Sequence, residues 1–370
     1  MLLLIPGPVV TRPEVRAAMA QDYAPWDNDF RAVVRRVRER LLAIATSDTS
    51  THAALPLQGC GHFATEAAIR SFVPRGGKIL IPRTGQYADR MARLAAEVGR
   101  VVVDLPVPPD ARTSPSDVAA ALAADPAISH VGFVTSETSS GVVHDAVTIG
   151  DAVRAAGRRA IVDAVSAFGA VPFDLATQPE VDALVFTANK CLEAPPGMAF
   201  VIGRIDRLED CAGQAEGWSF DLSDIYMHSL GGNGASRFTP PAQVIAAIDV
   251  ALDLYDAEGG QAARLARYTA NMRVLYDGAI ALGLHPTLSA ELQGPIVLNV
   301  DAPDHPAWNL QRFVDALKAR GVLISNFYNT PHPSFRVGCI GAVSPEQMRG
   351  AVAAMDGALE EMGIRLRRAA

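Results

Sequence analysis

An acidic residue and a lysine follow two apolar runs, at points where side chains could do chemistry. Asp163 follows the run at 160–162, and Lys190 comes shortly after the run at 183–187. An unpaired carboxylate is costly to bury, so Asp163 needs either a helix-capping role or a positively charged partner. A lone lysine at a strand end is usually solvated, but a lysine can also bond an aldehyde covalently. The pair therefore suggests a site that holds a cation and an aldehyde together.

A glycine-rich stretch at 59–64 (GCGHFA) lies between a predicted strand and a predicted helix. Small residues there would let backbone N–H groups and a helix N-terminus face a phosphate. The same letters fit the dinucleotide fingerprint G-x-G-x-x-A, but an acidic residue should then end the next strand, where Arg83 stands instead. Arg83 disfavours NAD and tolerates NADP, so an NADP-dependent oxidoreductase is one alternative. An ordinary tight turn is another.

Asp163, Lys190 and a phosphate cradle together match the requirements of pyridoxal 5'-phosphate. Its phosphate binds oriented N–H donors, its aldehyde bonds a lysine, and its ring nitrogen pairs with a carboxylate. That carboxylate keeps the ring protonated, so that the ring can accept electrons from a substrate carbanion. A coenzyme of this kind is the interpretation that uses all three features.

The composition is that of an ordinary globular protein and excludes several other classes. Of 370 residues, 49% are hydrophobic and 20% are charged, which excludes a disordered chain. A formal net charge of −7 gives no global attraction to nucleic acid or anionic membranes, and we expect neither as a partner. The four cysteines form no CxxC pair, and Cys60 with His62 fits no common zinc spacing, so we expect no metal. Without a signal peptide or a membrane-length apolar stretch, we expect a cytoplasmic protein.

Apolar strands alternate with amphipathic helices along the first part of the chain. We predict strands at 53–57, 78–82, 100–104, 130–135, 160–164, 183–187 and 199–203, and helices at 30–45, 64–73, 87–98, 115–124 and 146–156. Strands that are apolar throughout and separated by helices indicate an α/β fold with a mostly parallel central sheet covered by helices. Ligands bind beyond the carboxyl ends of such strands, which is where Asp163 and Lys190 stand.

After about residue 240 the pattern changes to long helices with a few short strands. We predict helices at 241–257, 261–282, 308–319 and 344–361, with strands at 295–300, 322–324 and 335–337. This pattern indicates a smaller α+β domain at the C-terminus. We therefore divide the chain into an N-terminal segment at 1–20 that packs with the small domain, a large coenzyme-binding domain at 21–250 and the small domain at 251–370.

Several short sequence motifs are spread along nearly the whole chain. They are Ile5-Pro6-Gly7-Pro8, Trp26-Asp27-Asn28-Asp29, Leu57-Gln58-Gly59-Cys60-Gly61, Ser136-Glu137-Thr138, the residues at 162–169 (VDAVSAFG), Ala188-Asn189-Lys190-Cys191, Pro196-Gly197, Ser236-Arg237-Phe238-Thr239-Pro240 and Phe335-Arg336-Val337-Gly338. In this order they resemble the class-V branch of the fold-type-I aminotransferases. The resemblance implies the pyridoxal-phosphate-dependent transferase fold of type I, and a homodimer whose active sites are shared between subunits.

The resemblance also implies a role for each matching residue. Lys190 would form the Schiff base with the coenzyme and move the substrate proton, and Asp163 would pair with the ring nitrogen. Arg336 would bind the carboxylate of pyruvate or alanine, because a guanidinium offers two parallel donors. The other implied coenzyme contacts are the backbones of Gly61, His62 and Phe63 and the side chain of Asn189 at the phosphate, Tyr87 stacked on the ring, Val165 beneath it, Thr138 near the ring hydroxyl, and Thr239 at the phosphate in the neighbouring subunit.

The activity that the resemblance implies is amino transfer from 2-aminoethylphosphonate to pyruvate, giving phosphonoacetaldehyde and L-alanine in phosphonate catabolism. The chain departs from the family at 214–222 and 325–329, which lack the basic residues expected there. Fewer cations weaken the case for a dianionic donor. An aminotransferase of the alanine– or serine–glyoxylate type is therefore the alternative, and the sequence does not decide between these donors. A non-catalytic binding protein on the same fold is a further alternative, against which the presence of both Asp163 and Lys190 counts.

Overall fold

The computed structural model describes residues 1–327 and 332–366. Its strands are β1 (Leu2–Leu3), β2 (His52–Gly59), β3 (Lys78–Arg83), β4 (Val101–Pro106), β5 (Ile128–Val134), β6 (Arg159–Asp163), β7 (Val181–Thr187), β8 (Gly197–Arg204), β9 (Val297–Asp301), β10 (Val322–Leu323) and β11 (Ser334–Gly338). The strands predicted from the apolar runs all lie within two residues of these bounds.

The helices alternate with these strands. They are α1 (Pro13–Ala17), α2 (Asn28–Ala45), α3 (Gly61–Phe72), α4 (Gln86–Glu97), α5 (Pro115–Ala124), α6 (Ala146–Ala155), α7 (Ile205–Asp210), α8 (Leu222–Gly231), α9 (Ala242–Glu258), α10 (Gly260–Ala281), α11 (Leu310–Ala319) and α12 (Pro345–Glu361). The predicted helices agree within three residues, whereas α1, α7 and α8 were not predicted. In α8 the apolar residues fall on both faces, because Leu222 and Ile225 are buried while Met227 and Leu230 are exposed.

The centre of the fold is a seven-stranded sheet in the order β2-β8-β7-β6-β5-β3-β4. The strands β4, β3, β5, β6 and β7 pair in parallel, and β8 pairs antiparallel with both β7 and β2. The prediction of a mostly parallel sheet is therefore confirmed. Since only β8 is reversed, the carboxyl ends of β2, β6 and β7 meet at one edge of the sheet.

The burial pattern explains why the sheet is covered on both faces. Every residue of β7 is buried, as expected for a strand with helices on either side. The helix α2 shows the complementary pattern, with Phe30, Val34, Val37 and Leu41 buried at helical spacing along one stripe. An aspartate, Asp27, caps its N-terminus by accepting the N–H of Asp29.

A second apolar core joins the start of the chain to its C-terminal part. Leu4 and Val9 pack with buried residues of α10, α11, β11 and α12. The strand β1 pairs in parallel with β10, with Leu2 opposite Val322. The strand β11 pairs antiparallel with β9. The boundaries drawn at 20 and 250 remain a prediction.

Two kinds of feature are absent from the described ranges, 1–327 and 332–366. None of the helices there is long and apolar enough to cross a membrane. No group of three or more His, Cys, Asp or Glu residues is placed so that it could hold a metal ion.

Candidate active site

A cavity of about 190 Å³ opens at the carboxyl edge of the sheet, where β2, β6 and β7 end. It lies between these strand ends, the helices α3 and α4, and the N-terminal segment. The residues that line it are Gly7, Cys60, Gly61, His62, Thr65, Tyr87, Arg90, Met91, Leu94, Asp163, Val165, Thr187, Asn189 and Lys190. Seven of the residues singled out from the sequence therefore meet in one place.

Lys190 lies in the turn after β7, with its side chain buried against the N-terminal segment. A Cβ added to Gly7 would stand 2.5 Å from Cδ and 3.2 Å from Nζ of Lys190. The N–H of Glu193 donates to the Lys190 carbonyl at 3.0 Å and closes the turn. Burial lowers the pKa of Lys190, and the guanidinium of Arg336 lowers it further. This amine is thus easier to deprotonate than a solvated lysine, as a nucleophile or base requires.

Asp163 ends β6 and is 7% exposed. Its backbone carbonyl accepts the N–H of Thr135, and its Oδ1 accepts the N–H of Val165 at 2.9 Å. Burial raises the pKa of Asp163 to about 6, and the nearby carboxylate of Glu137 adds to the rise. A cation beside Asp163 would favour the ionised form and restore the usual pKa. The cavity therefore presents a buried carboxylate that lacks a full counter-charge.

The N-terminus of α3 faces this cavity and has open backbone donors. The first N–H groups of a helix have no partner within the helix, and Cys60 at the N-cap gives no side-chain hydrogen bond. Gly61 is needed here, because a Cβ on it would stand 2.5 Å from Cγ2 of Val165. The N–H of Phe63 donates to the carbonyl of Cys60 at 3.0 Å, and its side chain lines a different pocket, so its phosphate contact stays a prediction. Gly61 and His62 remain as donors at this end.

Thr187, at the end of β7, is a cavity residue that the sequence reasoning missed. It is buried, and its Oγ1 has no hydrogen-bond partner within the described residues. A buried hydroxyl is usually hydrogen-bonded, and Thr187 lines the cavity, so this hydroxyl suits a polar ligand there. Its position three residues before Lys190, at the end of an apolar strand, was the available clue.

Tyr87, Asn189 and Val165 line the cavity, as the sequence led us to expect of ring and phosphate contacts. Tyr87 lies in the first turn of α4, and the guanidinium of Arg90 lies over its ring at 5.0 Å from the centroid. The side chains of Tyr87, Asn189 and Val165 are each partly exposed, which leaves their surfaces open toward the cavity.

Arg336 and Thr138 lie together, outside the residues that line this cavity. Arg336 is on β11, is 3% exposed, and donates from Nη1 to the carbonyl of Thr138 at 2.9 Å. Its charge is close enough to lower the pKa of Lys190. Thr138 is 1% exposed and does not line the cavity, so the contact expected between its hydroxyl and the coenzyme ring stays a prediction.

Thr239 is exposed and does not line the cavity of its own chain. Its carbonyl accepts a hydrogen bond from the Gln58 side chain, on β2. The contact of Thr239 with a neighbouring subunit stays a prediction.

The strand β2 does not fit the dinucleotide-binding alternative. A dinucleotide fingerprint belongs in a parallel βαβ unit, but β2 is at the edge of the sheet and its one partner there, β8, is antiparallel. Arg83, the residue that would tolerate the extra phosphate of NADP, forms ion pairs with Asp89 and Asp104. Both observations count against an NADP-dependent oxidoreductase.

Comparison with known proteins agrees with this geometry. The family described as "Aminotransferase class-V" matches residues 27–322. A 2-aminoethylphosphonate–pyruvate transaminase of Burkholderia lata is 43% identical over 366 residues, which is 98% of this chain and 96% of that protein. One from Pseudomonas entomophila is 40% identical over 98% of each chain.

Solved structures show the same fold. The pyridoxamine–pyruvate aminotransferase of Mesorhizobium loti matches with a TM-score of 0.88 and 26% identity, over 99% of this chain and 93% of that one. The aspartate aminotransferase of Thermus thermophilus matches with a TM-score of 0.86 and 26% identity, over 98% of this chain and all of the other. These matches confirm the predicted type-I aminotransferase fold. The chain belongs to the class-V aminotransferases.

Proposed function

We propose that this enzyme uses pyridoxal 5'-phosphate to transfer the amino group of 2-aminoethylphosphonate to pyruvate, giving phosphonoacetaldehyde and L-alanine. The observation that carries the proposal is the meeting of Lys190 and Asp163 in one cavity with the open N-terminus of α3. Relatives that are 40–43% identical over nearly their whole length are named for this reaction. The resemblance found in the sequence pointed to the same substrates.

The residues of the cavity fit this coenzyme. Asp163 would pair with the ring nitrogen, whose positive charge supplies the partner that this buried carboxylate lacks. The N–H groups of Gly61 and His62, the Thr187 hydroxyl and the Asn189 side chain would bind the phosphate. Tyr87 and Val165 would contact the two faces of the ring, and Lys190 would bond the aldehyde. Thr138 would stand near the ring hydroxyl only if a small shift brought it into the cavity.

When bound, pyridoxal phosphate supplies an aldehyde that receives the amino group and a ring that accepts the electron pair released at the donor carbon. Lys190 does the proton transfer. Its Nζ takes the proton from the carbon that carries the amino group of the donor, and it returns a proton to the corresponding carbon of pyruvate in the second half of the cycle. The lowered pKa of Lys190 makes its amine available as this base.

Arg336 would bind the anionic end of each substrate in turn. A guanidinium offers parallel N–H donors that suit both a carboxylate and a phosphonate. At the loop 214–222, where the basic residues are missing, Glu216 forms ion pairs with Arg100 at 2.9 Å and with Arg75 at 3.3 Å. The negative charge of Glu216 is thereby balanced and does not oppose an anionic donor. The second departure lies partly outside the described residues, at 328 and 329.

We further propose a homodimer in which each subunit supplies Thr239 to its neighbour. An apolar groove of about 320 Å³ lies beside Thr239, with Phe63, Phe220, Phe238 and Pro240 among its lining residues. Nearby apolar side chains are strongly exposed: Trp218 is 62% exposed, Met227 55% and Leu230 61%. Such a patch on a single chain marks an interface. A second copy is the occupant that we propose, because the resemblance implies that Thr239 reaches the phosphate of the neighbouring subunit, and Thr239 does not line the cavity of its own chain.

The dimer can be tested by charge introduction. Leu230→Glu should shift the protein toward monomer in sedimentation and lower activity in parallel. Ile280→Glu, at an apolar residue of α10 that is 39% exposed, is the matched control and should leave both unchanged. If the Leu230→Glu protein stays dimeric and active, α8 is not part of the interface.

The coenzyme and the reaction are tested together. The purified protein should absorb in the near ultraviolet and visible range, and reduction with borohydride should add the mass of the reduced coenzyme at Lys190. With 2-aminoethylphosphonate and pyruvate it should form alanine. If no adduct forms at Lys190, the coenzyme assignment is wrong. If alanine or serine with glyoxylate is faster by about tenfold, which is 1.4 kcal/mol, the donor assignment is wrong.

A further inference from the structure

A buried carboxylate, Glu137, lies between two elements of the site and is not itself among the residues that line the cavity. It is fully buried, in the loop that follows β5. Its Oε2 accepts the N–H of Tyr87 at 3.2 Å and of Ala88 at 3.4 Å, at the start of α4. Its Oε1 accepts the N–H of Ser139 at 3.1 Å and the Ser139 hydroxyl. Each of these four bonds is donated to Glu137, which is the pattern of an ionised carboxylate.

The packing around this carboxylate leaves little freedom. Gly85 precedes α4 with a φ of +151°, and a Cβ on it would stand 2.3 Å from Oγ of Ser139 and 2.7 Å from Cδ of Glu137. The hydroxyl of Ser139 also accepts the N–H of Gln86 at 3.1 Å. The first turn of α4, which carries Tyr87, is thus held by Glu137 and Ser139 through its backbone.

The same loop is fixed on its other side to the small sheet that carries Arg336. The carbonyl of Thr138 accepts Nη1 of Arg336, and the carbonyl of Ser139 accepts Nδ2 of Asn299 at 2.9 Å. Asn299 is fully buried and stands opposite Arg336 in the pairing of β9 with β11. Three consecutive residues therefore connect the turn of Tyr87 with the strand of Arg336.

We propose that Glu137 is a positioning residue that sets Tyr87 and Arg336 relative to each other. It acts on Tyr87 through the backbone of α4 and on Arg336 through the loop 137–139. This inference rests on the proposed function, in which Tyr87 contacts the coenzyme and Arg336 the substrate. A residue with this role affects coenzyme affinity and substrate affinity together, whereas a simple cap of α4 affects at most the coenzyme affinity, through Tyr87.

The test is Glu137→Gln, which keeps the shape but removes the charge and places an amide N–H₂ against backbone N–H donors. The matched control is Asp145→Asn, because Asp145 is an exposed carboxylate that caps α6 by accepting the N–H of Thr148. The measurements are the dissociation constant of pyridoxal phosphate, the KM for pyruvate, and hydrogen exchange of the peptides that cover 86–88 and 334–338.

We expect Glu137→Gln to raise both the coenzyme dissociation constant and the KM for pyruvate by about tenfold, as for loss of a hydrogen bond to a charged group. Hydrogen exchange should quicken in both peptides. Asp145→Asn should change none of these by more than about twofold, within the range of a surface substitution. If Glu137→Gln alters only one of the two constants, or quickens exchange only at 86–88, Glu137 is a cap of α4 and the proposal is overturned.

Two further outcomes are separable. If Glu137→Gln does not fold, Ser139→Ala removes one of the four donors to Glu137 and leaves the three backbone donors in place. It should shift both constants in the same direction by about threefold, less than loss of the whole carboxylate; a shift in neither overturns the proposal. If the unmodified protein gives no adduct at Lys190, the proposed function fails. The exchange experiment then still decides, because it reports the link between α4 and β11 without the coenzyme.

Discussion

The Cα of Gly7 lies directly against the side chain of Lys190. A Cβ at this position would be 2.5 Å from Cδ and 2.7 Å from Cε of the lysine. Two residues earlier the N-terminal segment lies against β11, where a Cβ on Gly338 would stand 2.5 Å from the carbonyl oxygen of Ile5. The segment therefore contacts both the proposed coenzyme lysine and the strand that carries Arg336.

Gly7→Ala should displace Lys190 and impair coenzyme attachment. The φ of Gly7 is +137°, which an L-residue rarely adopts, and overpacking a tight site costs about 1–3 kcal/mol in addition. We expect the adduct formed with borohydride and the rate of alanine formation to fall by at least about tenfold, following the same energy scale. Gly350→Ala, where nothing lies within 4 Å of the added Cβ, is the control. Equal adduct formation in the two variants would contradict the contact.

Lys190→Ala should abolish turnover, because the bond to the coenzyme and the proton transfer are lost together. Coenzyme could still bind through its phosphate contacts and be detected without covalent attachment. Lys78→Ala is the matched control, since Lys78 forms an ion pair with Asp125 away from the cavity. Activity is followed as alanine formation from pyruvate. A Lys190→Ala protein with most of its activity would refute the assignment.

Asp163→Asn should slow turnover while leaving the shape of the site unchanged. The amide cannot hold the ring nitrogen in its protonated form, so stabilisation of the carbanion falls. We expect a loss on the order of a few kcal/mol of transition-state stabilisation, which is several powers of ten in kcat. The measurement is single-turnover kinetics with coenzyme at saturation. An unchanged rate would mean that another group serves the ring nitrogen.

The same variant should change how stability depends on pH in the coenzyme-free protein. Burial raises the pKa of Asp163 to about 6 from an ordinary 3.8, so the native state binds this proton more tightly than the unfolded chain. Stability is therefore lost as pH rises from about 4 to 6, by about 3 kcal/mol in all. Wild type minus Asp163→Asn, from urea unfolding at each pH, should show this slope.

Two buried histidines are the reason for comparing the wild type with the Asp163→Asn variant at each pH. Burial lowers the pKa of His52 and of His144 to about 4, so these two side chains stabilise the native state more as pH rises to about 6.5. Their slope opposes that of Asp163 in the wild-type curve. It cancels when the variant is subtracted, because both proteins contain both histidines. A flat difference between pH 4 and 6 would contradict the raised pKa.

The strands, and with them most of the site, could be predicted from the sequence. Apolar runs indicate buried strands of a parallel sheet, and the polar residues that follow them then lie together at the carboxyl edge of that sheet. Asp163 and Lys190 were found this way. The reversed direction of β8 could not be predicted, since its residues are as uniformly buried as those of a parallel strand. Thr187 was missed as a functional residue, and Glu137 was given no role although it stands in one of the matching motifs, because each looks like an ordinary polar residue at a strand end or in a loop. The structure draws attention to Thr187 because its hydroxyl has no hydrogen-bond partner within the described residues. It draws attention to Glu137 because four donors surround its carboxylate.

Arg336 supports the last prediction, which concerns the substrate. Arg336→Ala should collapse both half-reactions, because the same guanidinium is proposed to bind the carboxylate of pyruvate and the phosphonate of the donor. Arg336→Lys keeps the positive charge but not the paired donors, so it should retain part of the affinity for each anion. A charged hydrogen bond contributes about 1.5–3 kcal/mol, and each lost contact should raise the KM roughly tenfold or more.

The measurement is a panel of 2-aminoethylphosphonate, alanine and serine as donors, with pyruvate and glyoxylate as acceptors. Arg349→Ala is the control, because Arg349 is exposed on α12 and pairs with Glu346. If Arg336→Ala raised the KM for pyruvate and left that for 2-aminoethylphosphonate unchanged, the phosphonate would be bound by another group. Arg90, which lines the cavity beside Tyr87, would then be the residue to substitute next.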